Sequence, residues 1–200
     1  MDTTFGRYPY EQFSVIQGGD GGMEYPMCTM VRGNGRSFKG FFGLFVHETV
    51  HNWYYGIIGN NENRNPWMDE GFTSFAESEV MNVLYPEGDE PAINPHLNAL
   101  GSYLYMVDSM PEIIEPMNIG SDFFNTNQMY SRTAYTGGEL YVNQMRYIVG
   151  EDAFWKGMRT YFETYKFKHP QPEDFLRIME KSSDMELDWF PQFWFNTTRK

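Results

Sequence analysis

Residues 47–51 read His-Glu-Thr-Val-His, and after eighteen intervening residues Glu70 stands in the segment Asn65-Pro66-Trp67-Met68-Asp69-Glu70-Gly71-Phe72. On an α-helix, residues four apart lie one turn above each other, so His47 and His51 present two imidazole nitrogens to one point while Glu48 lies beside them. A carboxylate from a second helix, Glu70, completes three protein ligands for Zn2+ and leaves the fourth position to water, the open coordination of a catalytic zinc. The spacing predicts metal-assisted hydrolysis.

A five-residue motif of this kind also arises by chance, so its setting matters. Ser37 to Tyr55 reads as one helix, with Ser37 as N-cap, apolar Phe41, Leu44, Phe45 and Val46 leading into the motif, and Gly56 as a stop. Charged or metal-seeking groups in so apolar a helix are costly without a partner. The chain has four histidines and two are here; His96 and His169 lie outside any such cluster and read as surface or capping residues. The second helix starts at Pro66, runs to about Leu84 and is ended by Pro86. Glu77, two turns past Glu70 on roughly the same face, has two readings. It either accepts the second N–H of a zinc-bound histidine or is a solvated carboxylate like Glu79.

The pattern HExxH, eighteen residues, then Glu within a Trp-x-Asp-Glu-Gly-Phe segment resembles the gluzincin metallopeptidases, specifically the M1 aminopeptidase family that includes aminopeptidase N and leukotriene A4 hydrolase. Gly21-Gly22-Met23-Glu24-Tyr25-Pro26 looks like the G-x-M-E-N exopeptidase motif of that family, and Ala134-Tyr135-Thr136-Gly137-Gly138 resembles the segment that carries its catalytic tyrosine. The tail, from Gly150-Glu151-Asp152 through Pro172-Glu173-Asp174 to Asp188-Trp189-Phe190, reads like the end of an M1 catalytic domain. The resemblance implies a thermolysin-like (gluzincin) catalytic domain, a single M1-type domain over residues 1–200 excised from a larger protein with flanking domains. It also implies one catalytic Zn2+ on His47, His51 and Glu70, Glu48 as general base, Tyr135 as oxyanion donor, and Glu24 as anchor of the free amino terminus of a peptide substrate. Tyr25 replaces the usual Asn, Asp69 precedes Glu70 where Asn is common, and Gly137 takes the place of a frequent lysine. Taken without the family, Tyr135 is one of fourteen tyrosines and reads as an aromatic helix residue.

Two alternatives stand beside the aminopeptidase. A gluzincin endopeptidase shares HExxH and the later glutamate, but Glu24 in its Gly-x-Met-Glu setting speaks against it. A non-catalytic zinc-binding relative, acting as a binding module, is expected to lose Glu48 or a ligand, and neither is lost. A metzincin requires Gly and His where Tyr54 and Ile57 stand.

Composition bounds these readings. The 200 residues, 41% hydrophobic and 18% aromatic, support one domain with a sizeable core. A net charge of −12 disfavours nucleic acid and anionic membranes, since no basic patch neutralises phosphates. Cys28 is the single cysteine, which excludes an internal disulfide and reads as a buried or semi-buried thiol. No apolar run reaches the ~20 residues of a membrane span.

The expected fold is mainly α with a small N-terminal β-sheet. Short runs and turns fill residues 5 to 32, including the turn Gly18-Gly19-Asp20-Gly21-Gly22. Met27 to Val31 is expected as an edge strand, with Gly22 to Glu24 lining the cleft. Further helices are expected at about 95 to 110, ended by Pro111, then 130 to 149, 151 to 165, 172 to 182 and 187 to 195. The Gly137-Gly138 pair suggests close approach to other backbone.

Overall fold

Ser37 starts the first long helix because its hydroxyl accepts a hydrogen bond from Gly40 N at 3.1 Å, satisfying one of the amides that a helix start leaves unpaired. In the computed structural model this helix, α1, runs Phe38–Val50. The structure describes residues 1–19, 21–86, 88–110 and 114–198; Asp20 of the expected turn and Pro111, the expected stop, lie outside them. The helix ends five residues before the expected Tyr55. After His51 the chain winds through wide turns, with Gly56 N, Ile57 N and Ile58 N bonded to the carbonyls of His51, Asn52 and Trp53, and Tyr55 at φ +129°.

Ahead of α1 lie three strands, β1 (Ser14–Gln17), β2 (Gly22–Tyr25) and β3 (Cys28–Val31), in the order β1-β3-β2. The strand expected at an edge, β3, is central: it pairs parallel with β1 and antiparallel with β2. Its buried Thr29 donates to Met23 O, so the middle position goes to the strand whose side chains pack inward. The turn between β2 and β3 holds Met27 at φ +61° and is tied to the end of α1, Met27 N donating to Asn52 Oδ1 at 2.8 Å. That bond sets β2 alongside the histidine motif.

The second helix, α2, runs Pro66–Leu84, as the Pro66 and Pro86 signals predict. Its first half is buried on every side, from Pro66 to Ala76, because α1, α5 and the turn before α5 pack around it. Trp67, Phe72 and Phe75 fill this centre, each worth about 1.5–3 kcal/mol of burial. Then follow α3 (Leu97–Ser109), a short α4 (Asn127–Tyr130), a π-helical turn (Ser131–Gly137) and α5 (Gly138–Val149). The C-terminal helices are α6 (Glu151–Tyr165), α7 (Pro172–Ser183) and α8 (Phe190–Phe195). The helix expected over 130–149 is thus divided. Gly138 N reaches back five residues to Thr133 O, the widened winding that turns Tyr135 inward.

Gly71 of α2 faces Gly138 of α5, and a β-carbon on either would fall 2.6 Å from the other's Cα. Only a residue without a side chain lets the two backbones meet there. Gly138→Ala is expected to cost about 2–3 kcal/mol by forcing the helices apart, measured as a lowered urea midpoint at unchanged slope. An unchanged midpoint would mean that the contact is not tight.

Candidate metal centre

His47 and His51 lie one turn apart on α1, and α2 crosses so that Glu70 meets both. Nε2 of His47 is 3.2 Å from Nε2 of His51 and 3.2 Å from Glu70 Oε2, and His51 Nε2 is 3.3 Å from the same oxygen. The other ring nitrogens are engaged elsewhere. His47 Nδ1 lies 2.9 Å from Glu77 Oε2, and His51 Nδ1 lies 2.7 Å from Asp69 Oδ1 with Thr73 Oγ1 at 3.2 Å. With Nδ1–H donated to a carboxylate on each ring, both Nε2 lone pairs turn toward each other and toward a carboxylate oxygen. Three acceptors converging in this way fit a cation. The edge of a tetrahedron around zinc at its usual nitrogen and oxygen distances is about 3.3–3.4 Å, close to all three separations here.

Electrostatics point the same way. Burial disfavours a charged His47, yet hydrogen bonds to Glu70 and Glu77 outweigh it and raise its pKa to about 9. Burial likewise opposes a charged His51, and Asp69 overcomes it. Glu70 is held below the usual carboxylate range, its burial outweighed by both histidines. The centre is therefore an anionic cage that favours positive charge, whether a proton or a metal ion.

Glu48 sits beside this cage, 6% exposed, with Oε2 buried and unpartnered among the described residues. Burial raises its pKa to about 7, with Glu24 and Glu70 adding to the effect against the two histidines. Gly22 of β2 lies directly against it, since a β-carbon there would fall 2.1 Å from Glu48 Oε1. Two strand positions on, past Met23, is Glu24, whose carboxylate lies with a His51 ring nitrogen and an Asp69 oxygen within 4.8 Å of one another. Tyr135 approaches from the π-helical turn: its hydroxyl donates to Glu70 Oε1 at 2.5 Å and its ring lies parallel to that of His47, centroids 5.6 Å apart. Burial and Glu70 push its pKa far above the ordinary phenol value, so it remains a proton donor.

All seven residues singled out in the sequence, His47, His51, Glu70, Glu48, Tyr135, Glu24 and Glu77, thus lie about the His47–His51 pair, with only His47, His51 and Glu70 bringing three ligand atoms to one point. Asp69 was visible only as a departure from Asn, yet it holds the ring of His51; its place one residue before a metal-seeking glutamate was the available signal. His96 corrects the reading as a surface or capping residue. It occupies the N-cap position of α3, but its side chain is wholly buried, with Nδ1 2.8 Å from Glu139 Oε1 and Nε2 3.0 Å from Glu79 Oε1. His169 is exposed and bonds Gly59 O, and Cys28 is a half-buried free thiol. The cleft at the centre, of about 810 Å³, is lined by Gly22, Leu44, His47, Glu48, Glu77 and Tyr135 and extends to Arg36 and Lys39. A second, largely apolar cavity of about 790 Å³, walled by α3, α5 and α8, contains none of the seven.

The chain is similar to known proteins in sequence and in fold. The family model of the Peptidase family M1 domain matches residues 13–194. Aminopeptidase B of Mus musculus is 27% identical over 185 residues, covering 86% of this chain and 26% of that protein. Aminopeptidase N of Streptomyces lividans is 25% identical over 153 residues, covering 76% and 18%. The chain therefore spans about a quarter or less of these relatives' length. In fold it is similar to an M1 zinc metallopeptidase from Deinococcus radiodurans, TM-score 0.76 at 18% identity over 98% of this chain and 42% of that one. It is also similar to leukotriene A4 hydrolase from Saccharomyces cerevisiae, TM-score 0.74 at 19% identity over 98% and 33%. Among the described residues, no helix is long and apolar enough to cross a membrane.

Proposed function

The chain belongs to peptidase family M1, and from that membership we propose that it is the thermolysin-like, zinc-binding catalytic domain of an aminopeptidase, one unit of a larger protein, that removes N-terminal residues from peptides. The observation that carries this is the set of three mutually close ligand atoms on His47, His51 and Glu70, with Glu48 Oε2 beside it buried and without a hydrogen-bond partner among the described residues. Zinc held by these three residues supplies a Lewis acid for the scissile carbonyl and for the attacking water.

The remaining chemistry belongs to this chain's side chains. Glu48 takes the proton of the attacking water and returns one to the departing amine; a carboxylate brought to about 7 by burial is matched to both tasks near neutral pH. Tyr135 donates its O–H toward the carbonyl oxygen as negative charge develops there. Glu77 and Asp69 accept the Nδ1 protons of His47 and His51, which fixes both tautomers and aims both Nε2 atoms inward. Glu24 pairs with the substrate's free ammonium group, and this charge pairing separates an aminopeptidase from an endopeptidase.

The test is hydrolysis of aminoacyl fluorogenic amides and their N-acetylated counterparts by the zinc-loaded protein. Cleavage of the free-amine set alone is the expected result, and cleavage of blocked substrates would instead indicate an endopeptidase. Glu24→Gln is expected to lower kcat/KM for free-amine substrates roughly ten- to hundredfold, the worth of one hydrogen bond to a charged group, mostly through KM. An unchanged preference would leave Glu24 a structural residue of β2.

A further inference from the structure

The metal centre has a direction along α2. Glu24, His51 and Asp69 mark one end of it, and His47 with Glu77 marks the other. A peptide whose ammonium group pairs with Glu24 and whose first amide bond lies at the centre therefore sends its remaining residues past Glu77, toward the C-terminal half of α2. On that side the cleft does not end. Ser74, Glu77, Met81 and Tyr135 line both the cleft and a further groove of about 580 Å³, which continues along α2 to Asn82. Asn82 follows Glu70 by twelve residues, which at 1.5 Å per residue is about 18 Å along the helix. An extended peptide covers that distance in about five residues.

One wall of this groove is a strap, residues 88–95, between the end of α2 and the start of α3, and Asn82 sets its position. Asn82 Nδ2 donates to Ala92 O at 2.8 Å, and Asn82 Oδ1 accepts from Ala92 N at 2.7 Å, a two-bond clamp on one backbone position. Beyond the clamp, Asn94 Oδ1 accepts from His96 N at 3.0 Å, and the wholly buried His96 ties the strap to the core. The clamp fixes the distance between strap and helix, and with it the width open to a chain lying between them. Ser74, Thr136 and Asn98 also line the groove with hydroxyl and amide groups, which pair with peptide N–H and C=O.

Resting on the aminopeptidase function proposed above, we infer that this groove holds the substrate residues downstream of the scissile bond, and that Asn82 is a positioning residue for them: by clamping the strap it makes the protein favour peptides several residues long over dipeptides and simple aminoacyl amides.

Calorimetry on the zinc-loaded Glu48→Gln protein reads this as binding, without turnover. The ligands are peptide amides of increasing length that share one first residue and carry no charge beyond the ammonium group, so that the charged side chains at the rim do not decide the result. Affinity is expected to rise with length by roughly tenfold and to level off at about six residues, the first plus the five that the groove spans. Adding Asn82→Ala, which removes both clamp bonds, should abolish that gain and leave the one-residue amide bound as before. Gly88→Trp is the second variant: a β-carbon at Gly88 meets nothing within 4 Å, so the fold accommodates the ring, which should cut the gain from the strap side. Equal weakening of the one-residue amide and the longer peptides by Asn82→Ala would make Asn82 a residue of the fold alone and overturn its assignment. No gain with length, or a gain untouched by either variant, overturns the inference and leaves the aminopeptidase function standing. No binding of any peptide overturns both.

Discussion

Glu48→Gln is expected to lower kcat by about 10²–10⁴-fold, the usual worth of a general base, while zinc content and fold stay as they are. Glutamine keeps the size and one acceptor oxygen of Glu48 but cannot take a proton. Glu48 is not a member of the three-atom cage, and its Oε2 has no hydrogen-bond partner among the described residues, so the substitution breaks no native contact. The loss should appear in kcat with KM little changed, because the proton transfer belongs to the transition state and not to substrate binding. His51→Ala is the contrasting control, which should lose the metal itself. Near-normal turnover in a metal-loaded Glu48→Gln protein would remove Glu48 from the chemistry. Loss of zinc in that variant would instead make Glu48 part of the cage.

What the sequence disclosed followed the range of the interactions involved. The ends of α2 were legible because Pro66 and Pro86 act on their own neighbours. The histidine pair was legible because a spacing of four is a property of one helix, and the close backbone approach at Gly138 was legible because two adjacent glycines inside a helix need a reason. Non-local features were not. Whether β3 lies at the edge or the centre depends on a parallel partnership with β1 across the β2 hairpin, which no local pattern encodes. The π-helical turn that carries Tyr135 packs against α2, and α1 gives way after Val50 to wide turns in which the amides of Gly56, Ile57 and Ile58 reach back to His51, Asn52 and Trp53. For the candidate site, the residues that converge were readable from two helices and a strand motif. The one escaping notice, Asp69, acts through a ring whose orientation only the folded chain defines.

His96 is the largest such surprise, and its removal should be the most damaging single change to stability away from the metal centre. It is wholly buried, stacks on Phe75 at 4.7 Å, and donates to carboxylates on two different helices, Glu79 of α2 and Glu139 of α5. Arg146 completes the network through Glu79 and Glu151, and Ser78 caps Glu139. His96→Phe keeps the stacked ring and most of the volume but withdraws both N–H groups, leaving the buried Glu139 and the partly buried Glu79 each short of a partner. Breaking a buried ion pair from one side costs about 3–5 kcal/mol; with Ser78 and Arg146 still in place the lower figure, about 3 kcal/mol, is expected in urea unfolding. A second change, Glu139→Gln added to the His96→Phe variant, should recover part of it by removing the stranded charge. The effect carries a pH signature. Burial lowers the pKa of His96, but the hydrogen bonds to Glu139 and Glu79 outweigh it, so the folded value is raised above the unfolded one of about 6.5. The stabilisation is therefore complete below about pH 6.5 and is lost as pH climbs through the folded value, because the folded chain there holds a proton that the unfolded chain has released. Wild type and His96→Phe should thus differ most at mildly acidic pH and converge in alkali. A gap between them that does not vary with pH would show that His96 is held neutral and contributes only packing.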